Sequence, residues 1–244
     1  MNLLVTGATG MVGGEVLRQA ALDPAITRVT ALVRRAPDFR HPKVHVVLHQ
    51  DFLQYDHLAG LFRQHDACLW CLGISQSQVT GHEYQRVTYD YAVAAATAMR
   101  RANPAMAFVF VSAQGVRSAG YHPARFVRVK GRTEMALRSL GFPRLVIARP
   151  GGIIPVRAKV RPPLIERVFV RFLPFFQWLA PSLVIRADEL ARVLIALAGS
   201  GGQPLLILSN RELQRAGLGM QQKAAFPLTP EQKGSLSGIP LKFG

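Results

Sequence analysis

The sequence predicts an α/β fold: a doubly wound parallel sheet with helices on both faces. Two observations carry this. Apolar runs of strand length alternate with stretches of helical length over roughly the first 210 residues. The first run also ends in a glycine-punctuated loop that opens a helix. Alternation of this kind calls for parallel strands joined by right-handed crossovers.

Met1 to Val5 reads as the first buried strand, followed by Gly7, Gly10 and Gly13 in the loop. Val12 to Ala21 then reads as a helix with Val16, Leu17, Ala20 and Ala21 on one side. Further strands are expected at Arg28 to Val33, Val44 to Leu48, Ala67 to Leu72, Ala107 to Val111 and Leu145 to Ile147. Helices are expected at Leu53 to Arg63, Glu83 to Arg101 and Arg125 to Leu140. After Gly151 the chain turns basic, aromatic and proline-punctuated, then offers a helix at Asp188 to Ala198 and a strand at Pro204 to Leu208. The expected organisation is one domain over residues 1–216, with a small C-terminal substrate-side segment at 151–185. Residues 217–244, polar and glycine-rich, read as a mobile tail.

Apolar residues make up 49% of the 244, enough to bury a core, which excludes a disordered chain. Two cysteines exclude a disulfide scaffold. MNLLVTGATG lacks a basic start followed by a long apolar run, so no signal peptide is read and a cytoplasmic location is expected. The net charge of +16 favours anionic partners without specifying one.

The spacing T-G-A-T-G-M-V-G suits a dinucleotide. Gly7 permits the tight turn, Gly10 lets a pyrophosphate approach the backbone, and Gly13 lets the helix pack close to the strand. The helix start then offers free N–H groups to phosphate. Thr9, Met11 and Val12 lie between the glycines and count with them as cofactor-binding. An NAD site usually carries Asp or Glu after the second strand to hold the ribose hydroxyls. This chain has Arg34 and Arg35, whose planar forks pair with phosphate and stack on adenine, so NADP(H) is favoured over NAD(H). Asp51 and Phe52 follow the third strand, where a carboxylate can accept from the adenine amino group. Cys71-Leu72-Gly73 ends the fourth strand, where a small residue leaves room for ribose.

These motifs resemble the atypical short-chain dehydrogenase/reductases, in particular their Tat-interacting-protein-like oxidoreductases. Val87, Asp90, Tyr91, Ser112, V-K-G at Val129 to Gly131 and R-P-G at Arg149 to Gly151 extend the likeness over roughly residues 1–210. The resemblance implies a Rossmann-type fold that binds NADP(H), with Leu72, Gly73, Lys130, Pro150 and Gly151 among the cofactor contacts. It also implies a catalytic Ser plus Tyr-x-x-x-Lys, in which lysine lowers the phenol pKa and serine holds the substrate carbonyl.

Here the segment reads Phe126-Val127-Arg128-Val129-Lys130. Lys130 can still bond the nicotinamide ribose, but Phe126 has no proton to give. Ser112 is followed by Ala113, where the family often has a second serine. Three explanations stay open. Tyr121 or His122 supplies the proton; hydride transfer proceeds with a proton from water; or the chain binds NADPH without turnover, as a sensor or scaffold.

Other constellations are discounted. Cys68 and Cys71, three apart on a strand, point to opposite faces. His41, His45 and His49 lie in a strand-like stretch that spaces the outer two by roughly 26 Å, so no metal is expected. Pro162 to Pro181 mixes Phe169, Phe172, Phe175, Phe176 and Trp178 with arginines. It reads as a substrate lid first and as a peripheral membrane contact second. Nucleic acid is disfavoured, because the arginines are scattered and no reading module is present. The substrate and the oligomeric state are left open.

Overall fold

The computed structural model describes residues 1–75, 77–116, 124–157 and 183–225. Seven strands form one sheet in which every described pairing is parallel: β1 (Asn2–Thr6), β2 (Arg28–Val33), β3 (Val44–Leu48), β4 (Ala67–Trp70), β5 (Ala107–Val111), β6 (Leu145–Arg149) and β9 (Leu205–Ser209). Their order is β3-β2-β1-β4-β5-β6-β9, so the winding reverses between β1 and β4. Ligands of open α/β sheets bind outside the carboxyl ends of the strands at such a reversal. The expected fold class is therefore present.

Leu3, Val5, Ala31, Leu69 and Val109 face one side of the sheet and Leu4, Leu32, Cys68, Trp70 and Phe108 face the other. The first side is covered by α1 (Met11–Leu22), α6 (Ala187–Gly199) and Leu213 of α7 (Asn210–Ala225). The second is covered by α2 (Ala59–Phe62), α4 (Tyr91–Ala102) and α5 (Arg125–Ser139). Strands buried on both faces need apolar side chains at every position, which is why β4 reads Ala-Cys-Leu-Trp without alternation.

Beyond shifts of one or two residues at element ends, such as β4 stopping at Trp70 and not Leu72, four regions differ from the sequence expectation. The helix read over Leu53 to Arg63 shrinks to a 3-10 turn at Asp56–Leu58 and the single turn of α2. Asp51 accounts for the late start, since its carboxylate accepts the Leu53 N–H and holds a turn there. The helix read from Glu83 starts earlier, as α3 (Gly81–Gln85) capped by the Thr80 hydroxyl, and passes through a π turn at Arg86–Asp90 into α4. Beyond β6, β7 (Gly152–Ile154) pairs in parallel with β8 (Val184–Arg186) as a small second sheet that the sequence reading lacks. Finally, α7 continues to Ala225, through residues read as tail. Gly217 explains the difference: a Cβ there would lie 3.0 Å from Glu189 Oε1, so glycine serves the approach of α7 to α6 and breaks nothing. Residues 226–244 lie outside the described residues.

Candidate functional site

At the carboxyl end of β1, Gly7 takes φ +65°, and a Cβ there would lie 2.6 Å from the Cys71 carbonyl oxygen. Only glycine fits both demands. Gly13, in the first turn of α1, would place a Cβ 2.2 Å from the Gly7 oxygen, so its absent side chain lets α1 close on the loop. Gly10 differs, because its Cβ would meet only the Gly7 oxygen, at 3.2 Å. It caps α1 without any side-chain bond, and no acid occupies the first turn. The N–H groups at the start of α1 thus have no side chain capping them, the condition under which a helix start can take an anion.

The loop opens onto a cleft of about 740 Å³. Thr9, Gly10 and Met11 line it, while Val12 and Gly13 are buried beneath. Arg35 lines it from the turn after β2, followed by Pro37, Asp38 and Phe39; Arg34 is exposed and lies outside this lining. No carboxylate follows β2 directly; Asp38 comes four residues further along the wall. Three residues that the sequence reading did not single out join the cleft: Glu15 and Arg18 from α1, and Arg157 beyond β7. Glu15 is buried, with Oε1 3.6 Å from Arg18 Nε and 3.3 Å from Arg157 Nε. Arg18 is legible afterwards as a cation one helical turn beyond Gly14.

The positions read as adenosine contacts divide. Gly73 lines the cleft. The Leu72 N–H donates to Thr6 Oγ1 at 3.3 Å, and its side chain packs on the aromatic core. The Asp51 side chain is exposed at its turn. Phe52, counted among the cofactor contacts, has its ring in the core, 2% exposed and packed against Trp70 and Tyr91.

On the other side of the reversal, β5 delivers Ser112, α5 delivers Lys130 and β6 delivers Arg149. Lys130 Nζ donates to the Val111 and Ser112 carbonyls at 3.2 and 3.0 Å. Burial lowers the ammonium's pKa to about 8, against a smaller upward pull from Glu134. Ser112 is buried, and its hydroxyl donates to Glu134 Oε1 at 2.5 Å. Arg149 grips the same carboxylate, Nε on Oε1 at 3.0 Å and Nη2 on Oε2 at 2.5 Å. Glu134 is thus a buried hub that the sequence reading missed. Its place one helical turn after Lys130 was the available signal. Phe126 lies one turn before Lys130, half-buried, at the position where the resemblance implies a tyrosine. Tyr121, read as a candidate acid, and His122 fall outside the described residues, as does most of the 151–185 segment.

Pro150 is buried, and the Gly151 N–H donates to Asn210 Oδ1 at 2.9 Å. Asn210 Nδ2 in turn donates to the Val184 carbonyl, so α7 ties β6 to the small sheet. Cys68 and Cys71 pack on opposite faces of the sheet, as their spacing requires. Both thiols are free, and burial pushes Cys71 up to about 12. Among the described residues no group of three His, Cys, Asp or Glu side chains is placed to hold a metal, and no helix is long and apolar enough to cross a membrane.

Residues 7–154 match a family model described as NAD(P)H-binding. The rat protein HTATIP2 is 26% identical over 220 residues, which cover 88% of this chain and 89% of that one. An Aspergillus clavatus protein named fmp52, mitochondrial, is 28% identical over 235 residues, covering 88% of this chain and 98% of its own. Among solved structures, Bordetella bronchiseptica WbmH in complex with NAD+ matches with a TM-score of 0.63 over 94% of this chain and 83% of that one, at 16% identity. MoeE5 in complex with UDP-glucuronic acid and NAD matches at 0.65 over 91% and 83%, at 12% identity. At those identities the structural likeness is one of fold. The family model spans more than half of the sequence, and the chain belongs to the NAD(P)H-binding family, among the atypical short-chain dehydrogenase/reductases.

Proposed function

We propose that this chain binds NADP(H) in the cleft at the β1–β4 reversal and acts as an oxidoreductase on a carbonyl-type small molecule. The carrying observation is the make-up of the cleft. It joins a glycine loop with an uncapped helix start to Arg35 and two further guanidinium groups, with no carboxylate directly after β2. The glycine loop suits a pyrophosphate, and Arg35, with Arg34 beside it, suits a 2′-phosphate. When bound, such a cofactor supplies a hydride for a carbonyl carbon. Lys130, on the far side of the reversal, is the residue to orient the nicotinamide ribose, and Ser112 is the remaining substrate-side hydroxyl.

Phe126 and Ser112 also favour a second reading. A carbonyl oxygen that receives hydride at its carbon needs a proton, and Phe126 has none. The Ser112 hydroxyl hydrogen is directed at Glu134. A non-catalytic NADPH-responsive binding protein would need neither group free. In the oxidoreductase reading the proton comes from Tyr121, from His122 or from water.

Titration calorimetry of the full chain with NADPH and NADH tests the cofactor assignment. Tighter binding of NADPH, weakened by Arg34→Ala and by Arg35→Ala, is expected. Equal affinities for the two cofactors in the unmutated chain would overturn it. A cytoplasmic location belongs to the same proposal. Because fungal relatives are named as mitochondrial, imaging of the tagged chain against a mitochondrial marker decides it.

A further inference from the structure

The cleft holds an arginine that the glycine motif does not account for. Arg18 belongs to the second turn of α1, where a helix facing only the sheet would carry an apolar or outward-pointing side chain. Its guanidinium instead turns back along the helix, in the direction that helical side chains lean. Arg18 Nη2 passes 3.8 Å from where a Gly14 Cβ would stand, an ordinary van der Waals distance, so the fork lies along the helix toward the loop. Arg18 Cζ lies 5.8 Å from the centre of the Phe39 ring, and Phe39 is on the cleft wall four residues after Arg35. The guanidinium thus lies beside both Gly14 and the Phe39 ring, and its buried Nε has the Glu15 carboxylate at 3.6 Å, beyond hydrogen-bond length. A guanidinium whose nearest paired carboxylate is that distant gains from a closer anionic acceptor at its Nη groups.

Charge on this wall favours an anion. Glu15, the carboxylate nearest Arg18, is shared with Arg157, which approaches it more closely, at 3.3 Å against 3.6 Å. One carboxylate thus faces two guanidinium groups, which leaves this trio with a net positive charge. Asp38 is the other acid on the wall, against the guanidinium groups of Arg18, Arg35 and Arg157.

We infer that Arg18 completes the 2′-phosphate site from the helix side, opposite Arg35, and is a specificity-determining residue for NADP(H) over NAD(H). The inference rests on the cofactor reading proposed above. Arg18 then has two jobs, packing its stem on Phe39 and offering its fork to the phosphate, and the two separate by substitution. Met keeps an apolar stem of similar length without the charge. Lys keeps the charge without the fork.

The experiment is calorimetry on the full chain and on Arg18→Met and Arg18→Lys, with NADPH and NADH. It is repeated with adenosine 2′,5′-bisphosphate and adenosine 5′-phosphate, which differ only in the 2′-phosphate. Circular dichroism establishes that each variant is folded. The expected result is a loss of about tenfold or more in NADPH affinity for Arg18→Met, with NADH affinity within about twofold. The same split is expected between the two adenosine phosphates, with Arg18→Lys in between. Equal losses for NADPH and NADH would make Arg18 a purely structural brace and overturn the inference, as would an unchanged NADPH affinity. The outcomes also separate this inference from the reading beneath it. An unmutated chain that binds neither dinucleotide overturns both. One that prefers NADPH, and keeps that preference in Arg18→Met and Arg18→Lys, overturns the role of Arg18 alone.

Discussion

The β1–α1–β2 side of the cleft and the β5–α5–β6 side are built from different materials. On the first, the decisive features are backbone features: a positive φ at Gly7, the contact closed by Gly13, and an α1 start with no side-chain cap. On the second they are side chains: Lys130 against two carbonyls, Ser112 and Arg149 on Glu134, and phenylalanine at position 126. A backbone cradle works with few residue types and fails when a Cβ is added. A side-chain constellation can keep its framework and lose one functional atom. In this chain the glycine spacing is complete at Gly7, Gly10 and Gly13, while position 126 carries phenylalanine in place of the tyrosine that the resemblance implies. Binding and chemistry are therefore separable here, and substitutions should part them.

The largest effect is expected at Gly13. Gly13→Val drives a side chain into the Gly7 backbone, so both folding stability and NADPH binding should be lost. Gly10→Val places its side chain toward the cleft, and NADPH binding should vanish while the thermal melt moves by only a few degrees. If Gly10→Val unfolds the chain as thoroughly as Gly13→Val, the cradle is a folding element and its openness at Gly10 has no binding role.

Next comes Glu134→Ala. It strands Arg149, which is mostly buried, and removes the acceptor of the Ser112 hydroxyl. A stability loss of about 3–5 kcal/mol by urea unfolding is expected, as for other broken buried ion pairs. NADPH binding by the folded fraction should persist. A loss below about 1 kcal/mol would show that the hub is not a structural keystone of this side.

The smallest effect is the pH response of Lys130. Its folded pKa of about 8 lies below the ordinary lysine value of about 10.4. Between these values the unfolded chain binds the proton and the folded chain does not, so stability gains from this group as pH rises through that window. The gain is absent below about 8, where both states are protonated. Subtracting the profile of Lys130→Met from that of the unmutated chain should leave a rise of about 2–3 kcal/mol between pH 8 and 10.4. A flat difference would mean that the ammonium is better solvated than its contacts suggest.

The same contrast decides what the sequence reveals. The glycine loop is legible because backbone demands select one residue type, and that type shows in the letters. β2, β3 and β5 begin and end where their apolar runs do. The hub is harder to see, because no periodicity ties Ser112 or Arg149 to Glu134; only the fold brings β5, α5 and β6 together. Phe52 misleads for a related reason: Asp51 beside it is exposed at a turn, while the ring swings into the aromatic core. Gly217 misleads in the opposite sense, because glycine within a helix reads as a breaker until a neighbouring helix is seen to need the space.

The central claim is that an intact cofactor cradle faces a constellation short of one phenol, and Phe126→Tyr tests it most directly. NADPH affinity and NADPH-dependent reduction of a panel of aldehydes and quinones are measured side by side on the unmutated chain and on this variant. The tyrosine would stand one helical turn before Lys130, where the ammonium lowers the phenol's pKa. The expected result is an unchanged affinity and turnover raised by about 10²-fold, the lower range for a positioned general acid. An unmutated chain that is already fast and is slowed by the substitution would contradict the account, and would place the native acid elsewhere, with Tyr121 the first residue to test.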